Sequence, residues 1–185
     1  GCGKSTLLMQ ILGIISPSKG RVLIDGQNAD QYLKSLGDRI GHVGADAFLI
    51  EGTLRDNLTY GLKNPNIGDE ALWNALEKAQ LAQTIRQKNF GLNYRLNENG
   101  DGLSSGQKQR LSIARALLRK PTMLILDEAS ANLDNKTEEE IALTLKDISK
   151  DCTVIIVSHR EGLLKYVDNK IKLDHLLEEN RCKSC

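Results

Sequence analysis

The 185-residue sequence has almost no net charge: 25 Lys and Arg stand against 24 Asp and Glu. Without a basic excess there is no electrostatic case for binding nucleic acid or an acidic membrane surface. No apolar run approaches the ~18 residues of a membrane span. No charged-then-apolar leader reads as a signal peptide, and the chain is expected to be cytosolic. Its four cysteines, Cys2, Cys152, Cys182 and Cys185, are scattered and suggest no disulfide framework. Cys182 and Cys185 spell CxxC. They lie in a polar terminus with no second pair or histidine cluster, so no metal or redox role is assigned to them. There is no initiator Met. The remaining composition, 40% hydrophobic and 26% charged, is that of an ordinary soluble domain long enough for a sizeable core.

The most informative stretch runs from Leu103 to Asp134. Met123-Leu124-Ile125-Leu126 is a short apolar run entered from Lys120-Pro121. It reads as a strand buried on both faces, as in a parallel α/β sheet. It ends in Asp127-Glu128, at the carboxyl end where open α/β sheets place their ligands. Alone, this pair reads equally as a solvated acidic turn. Ser112 to Arg119 has a helical pattern, with Ile113, Leu117 and Leu118 inward and Arg115 and Arg119 outward. Ser104, Ser105, Gly106 and Gln107 precede it. Small residues at a helix N-terminus leave backbone N–H groups for an anion.

The opening residues, Gly1-Cys2-Gly3-Lys4-Ser5-Thr6, match the second half of the phosphate loop G-x-x-x-x-G-K-[ST]. The chain is therefore expected to be a fragment cut inside that motif. Gly3 lets backbone approach phosphate, and Lys4 reaches the β- and γ-phosphates. The Ser5 hydroxyl suits Mg²⁺, and Thr6 helps hold the α- and β-phosphates. Leu7, Leu8, Ile11, Leu12 and Ile15 recur at helical spacing, so the loop opens a helix whose N-terminus faces the anion.

In order and spacing, these segments resemble the ATPase domain of ABC transporters, over nearly the whole chain. LSSGQ at Leu103–Gln107 is similar to the family signature, usually LSGGQ. MLILDEAS is similar to its Walker B motif. Ser130-Ala131-Asn132-Leu133-Asp134 is similar to its D-loop, with Asn132 inserted or substituted. Thr153 to Val157 reads as another buried strand, and Ser158-His159 after it resembles the H-switch. Gly52 to Gly61 resembles a segment of exporter-type members, which carry permease and ATPase in one polypeptide.

The resemblance implies an α/β fold: a P-loop parallel-sheet core over residues 1–53 and 104–185, with a helical subdomain over 54–103. It implies ATP and Mg²⁺ as cofactors. Gly1, Cys2, Gly3, Lys4, Ser5 and Thr6 would hold the phosphates. Ser5 and Asp127 would support the metal, Glu128 would act as general base, and His159 would contact the γ-phosphate and Glu128. Ser104, Ser105, Gly106 and Gln107 would touch ATP bound to a second ATPase domain in a head-to-tail dimer. The other partner implied is a transmembrane permease domain, which places the chain on the cytoplasmic face of a membrane. The function implied is ATP hydrolysis that powers solute transport.

Two positions depart from the family pattern. Ala45 stands where the Q-loop glutamine falls, and Ala has no oxygen for Mg²⁺. The neighbouring Asp46 is either a substitute metal ligand or an ordinary loop residue. Ser105 stands for a signature glycine. Phe48, Leu49 and Ile50 are either an apolar contact for the membrane domain or core. Asp69-Glu70 open a helix carrying Leu72, Trp73, Leu76 and Ala79, and Leu81 and Ile85 continue on a second. Asn135 to Ser149 reads as a helix with Glu138, Glu139 and Glu140 in its first turn and Ile141, Leu145 and Ile148 inward. Arg21 to Gly26 reads as a strand and turn, and Lys170 to Leu173 as a last strand. Two other readings stay open. One is a soluble ABC ATPase of the DNA-repair kind, although no heptad run separates Lys4 from Ser104. The other is a weakly hydrolysing regulatory module, which Ala45 favours.

Overall fold

A computed structural model describes residues 3–36, 39–130 and 133–173. Gly1, Cys2, Ala131 and Asn132, four of the positions singled out above, lie outside the described residues. The chain divides into two compact units, residues 1–38 with 167–185, and residues 39–166.

In the first unit, helix α1 (Lys4–Ile11) starts after Gly3. Strands β1 (Leu23–Ile24) and β2 (Gln27–Asn28) form an antiparallel hairpin. Asp25 and Gly26 take φ of 50° and 78° at its tip, the doubly left-handed turn that Asp-Gly favours. Helix α2 (Ala29–Leu36) follows. The sequence reading differs from α1 in one respect: of its apolar residues only Leu8 is buried, while Leu7 and Met9 are exposed. Apolar residues surround this helix rather than lining one stripe, so its sequence pattern does not select a single inward face. Lys170 to Lys172 form no strand. Ile171 is exposed.

The second unit is built on a parallel sheet in the order β3 (Ile40–Val43), β6 (Met123–Asp127), β7 (Thr153–Val157). Met123 to Leu126 are buried, as a central parallel strand requires. Val154 to Val157, read as equally buried, are only half-buried. Among the described residues β7 pairs on one side only, with β6. A small antiparallel pair, β4 (Gly52–Thr53) with β5 (Arg95–Leu96), flanks the helical segment. That segment holds α3 (Leu54–Thr59), α4 (Asp69–Lys78) and α5 (Ala82–Arg86). Leu72, Leu76, Leu81 and Ile85 are inside, as their spacing predicts, and Trp73 packs half-buried against them. Helix α6 (Ser105–Leu118) leads to β6, and α7 (Asn135–Ile148) crosses from β6 to β7. Ile141, Leu145 and Ile148 are buried on α7. The short helix α8 (Glu161–Leu164) follows β7.

One arginine contradicts the expectation that it points outward. Arg115 donates from Nε to the Asn57 carbonyl and from Nη1 to the Phe48 carbonyl, both at 2.7 Å. Burial holds its guanidinium below the ordinary arginine value, though arginine stays charged. Arg119 meets the expectation only partly, donating to the Gly61 carbonyl at 2.7 Å. Of the apolar trio Phe48, Leu49 and Ile50, Leu49 is core and Phe48 is exposed.

Candidate functional site

The carboxyl ends of β6 and β7 meet at one place. Asp127 is the last residue of β6 and lies opposite Val157. Glu128 takes φ 51°, a left-handed conformation that non-glycine residues enter rarely and that clusters at functional sites. Its N–H still donates to the Val157 carbonyl at 2.8 Å. The chain therefore turns sharply off the strand while remaining bonded to β7. His159, just past the end of β7, places Nε2 3.5 Å from Glu128 Oε1. Both side chains reach solvent, at 71% and 44% exposure for His159 and Glu128. A carboxylate and an imidazole this close, open to solvent, are placed to handle a water molecule and a proton.

The signature residues sit at the start of α6. Ser104 caps the helix reciprocally with Gln107: its hydroxyl accepts from the Gln107 N–H at 3.3 Å, and Gln107 Oε1 accepts from the Ser104 N–H at 3.0 Å. The first intrahelical bond runs from Lys108 N–H to the Ser104 carbonyl, so the amides of Ser105 and Gly106 precede it. Ser105 is exposed, whereas Gly106 is buried. A Cβ on Gly106 would lie 2.4 Å from Thr137 Cγ2, so the glycine is required by the close approach of α7. Beside this turn lies an open cleft of about 730 Å³, lined by Gln80, Ser104, Gln107, Arg110, Thr137 and Glu140.

The phosphate-loop residues open α1. Gly3 holds φ 85° as the N-cap, and no side chain caps the helix there. The first intrahelical bond runs from Leu7 N–H to the Gly3 carbonyl at 2.9 Å, so the amides of Lys4, Ser5 and Thr6 precede it. Ser5 and Thr6 are exposed. An uncapped helix start with a left-handed glycine and exposed hydroxyls fits a phosphate group. Among the described residues no cluster of three or more His, Cys, Asp or Glu side chains is present. The Ser5 hydroxyl in the first unit and the Asp127 carboxylate in the second are each an oxygen ligand of the kind that suits Mg²⁺, an ion that usually keeps phosphate and water among its ligands.

Asp46 lies exposed in the loop after β3, next to half-buried Ala45. Gln109 of α6 donates to the Gly44 carbonyl in that loop at 3.2 Å. Gln109, Arg110, Arg115, Glu138 and Arg160 are polar residues with hydrogen-bonded side chains that the sequence reading did not single out as site residues. Of these only Glu138 carried a signal, as one of three consecutive acids, and that pattern does not tell a buried carboxylate from two solvated ones.

A model of the ABC transporter family matches residues 1–131. An uncharacterized ABC transporter ATP-binding protein, YwjA of Bacillus subtilis, is 41% identical over 169 residues, covering 91% of this chain and 29% of its own length. A multidrug resistance ABC transporter ATP-binding and permease protein of Lactococcus lactis is 39% identical over 161 residues, covering 86% of this chain and 27% of its own length. Among solved structures, a bacterial Atm1-family ABC exporter with ATP bound superposes with a TM-score of 0.75 at 34% identity. That match covers 91% of this chain and 29% of the exporter chain. The chain thus spans less than a third of the length of these relatives.

Proposed function

The chain belongs to the ABC transporter family, and from that premise we propose that it binds and hydrolyses MgATP to drive a solute through membrane-spanning partner segments. The observation that carries this reading is the Glu128–His159 pair, 3.5 Å apart where two parallel strands end. Glu128 takes the role of general base toward water attacking the γ-phosphorus in line. His159 holds the γ-phosphate and orients Glu128. Lys4 and the amides that open α1 bind the phosphates, and Ser5 and Asp127 support the metal. Mg²⁺, when bound, supplies charge neutralisation on the phosphate oxygens.

The rest of the reading follows from the family. The Ser104–Gln107 turn acts on ATP held by a second ATPase domain, head to tail, and residues 54–103 form the arm that presents it. The permease segments are in the same polypeptide or in a partner, as the name of the Lactococcus relative says of that protein. Among the described residues no helix is long and apolar enough to cross a membrane; the likeness to exporter-type relatives supports a location at the cytoplasmic face beside such segments. Asp46 is proposed as a stand-in for the absent Q-loop glutamine.

The test is steady-state ATPase activity of the intact protein, wild type against Glu128→Gln, with ATP-dependent dimerisation measured alongside. Turnover should fall about 100-fold or more while an ATP-bound dimer accumulates. Ala45 favours a second reading, a regulatory module that hydrolyses weakly. Equally poor hydrolysis by wild type and variant would establish it instead.

A further inference from the structure

Glu138, in the first turn of α7, has a side chain only 4% exposed. A carboxylate taken out of water must be compensated by donors or charge, and both of its oxygens are. Oε2 accepts from Arg160 Nη1 at 3.1 Å, and Oε1 accepts from the Leu163 N–H at 3.2 Å. The backbone of Gly162 lies against the same group: a Cβ there would sit 2.7 Å from the carboxyl carbon. Glu138 thus holds three of the residues that follow His159.

We infer that Glu138 is a positioning residue that keeps His159 against Glu128 by fixing the backbone after β7. The inference rests on the reading of Glu128 and His159 as the hydrolytic pair. The sheet ladder ends at Val157, so it no longer holds the chain at His159. The imidazole is mostly in solvent, so packing does not fix it either. What fixes it is the backbone on each side. The Arg160 N–H donates to Ser158 Oγ at 2.9 Å, closing a tight turn around His159. The Arg160 guanidinium anchors that turn to Glu138 and donates to the Leu133 carbonyl. The first turn of α7 therefore gathers three parts of the site. Thr137 packs under Gly106 of the signature, Asp134 caps the helix at the end of the D-loop, and Glu138 holds the histidine segment.

The test is ATPase kinetics of the intact protein bearing Glu138→Gln, Arg160→Met or His159→Ala, and each of the first two combined with the third. Single-turnover hydrolysis of labelled ATP follows the slowest variants. Glu138→Gln should lower kcat about tenfold and leave KM for ATP within about twofold. Arg160→Met should match it. Neither should lower the rate further once His159 is Ala, because residues acting through one group are not additive. An equal fractional loss in the His159→Ala background, or no loss with His159 intact, overturns the positioning role. A His159→Ala protein with wild-type turnover would instead remove the reading beneath it, and that result needs no Glu138 variant. If Glu138→Gln fails to fold in a thermal melt, Arg160→Met decides by the same criteria from the more exposed side of the pair.

Discussion

Helices α1 and α6 both start where small residues meet an apolar segment, and both read as anion-binding ends, yet they begin in opposite ways. At α1 a left-handed glycine precedes the helix and no side chain caps it. At α6 Ser104 and Gln107 satisfy each other's amides. An uncapped start leaves its donors to water or to a ligand, while a capped start is complete before any ligand arrives. The comparison separates a terminus whose donors remain for a ligand, phosphate under the proposed function, from one already capped that exposes Ser105. In the proposed dimer the first would grip a nucleotide and the second would press on one held elsewhere.

Three changes probe that contrast, the largest first. Lys4→Ala removes the cation beside the uncapped end, and ATP affinity measured by calorimetry should fall about 100-fold or more, since the terminus alone contributes little to a multiply charged ligand. Unchanged affinity would mean that α1 does not hold the phosphates. Gly106→Ala drives a methyl group into Thr137, and overpacking of this kind costs about 1–3 kcal/mol. Thr137→Ser removes the colliding Cγ2 but keeps the hydroxyl that donates to Asp134 at 2.8 Å. The Gly106→Ala/Thr137→Ser double variant should therefore recover most of the stability in denaturant titration. Failure to recover would show that the Thr137 methyl group is not what excludes a side chain at Gly106. The smallest effect is Ser104→Ala, which removes one N-cap hydroxyl and should cost about 1 kcal/mol by thermal melting, with or without ATP present. A cost that vanished on adding ATP would make α6, like α1, a ligand-completed end.

What could be read from the sequence was local. The apolar run at Met123–Leu126, the helices of the 69–86 segment and the parallel α/β class follow from spacing and capping, which act over a few residues. What could not be read depends on partners distant in sequence. Arg115 sits at a helical position that normally faces water, and only the carbonyls of Phe48 and Asn57 turn it inward. Glu138 is indistinguishable in sequence from Glu139 and Glu140, yet it alone of the three is buried. Val154 to Val157 have the composition of a central strand, yet they stand at an edge of the described sheet and are half-buried, and composition encodes neither. Lys170 to Leu173 alternate as a strand would, and alternation without a neighbouring strand forms no ladder. At the candidate site the residue types were legible and the resemblance implied the nearness of His159 to Glu128, whereas the left-handed bend at Glu128 was not legible.

The left-handed backbone at Glu128 constrains what the position could become in descent. Glycine would occupy φ 51° without strain, and asparagine nearly so. Valine, isoleucine and threonine, the usual neighbours of a buried strand, are the residues that conformation excludes most strongly. A lineage under selection for stability alone would thus drift at this position toward glycine or asparagine, either of which removes the carboxylate proposed as general base while leaving the turn intact. Under the proposed function, glutamate at a site whose backbone prefers another residue holds the fold slightly below its stability optimum in exchange for a base beside His159.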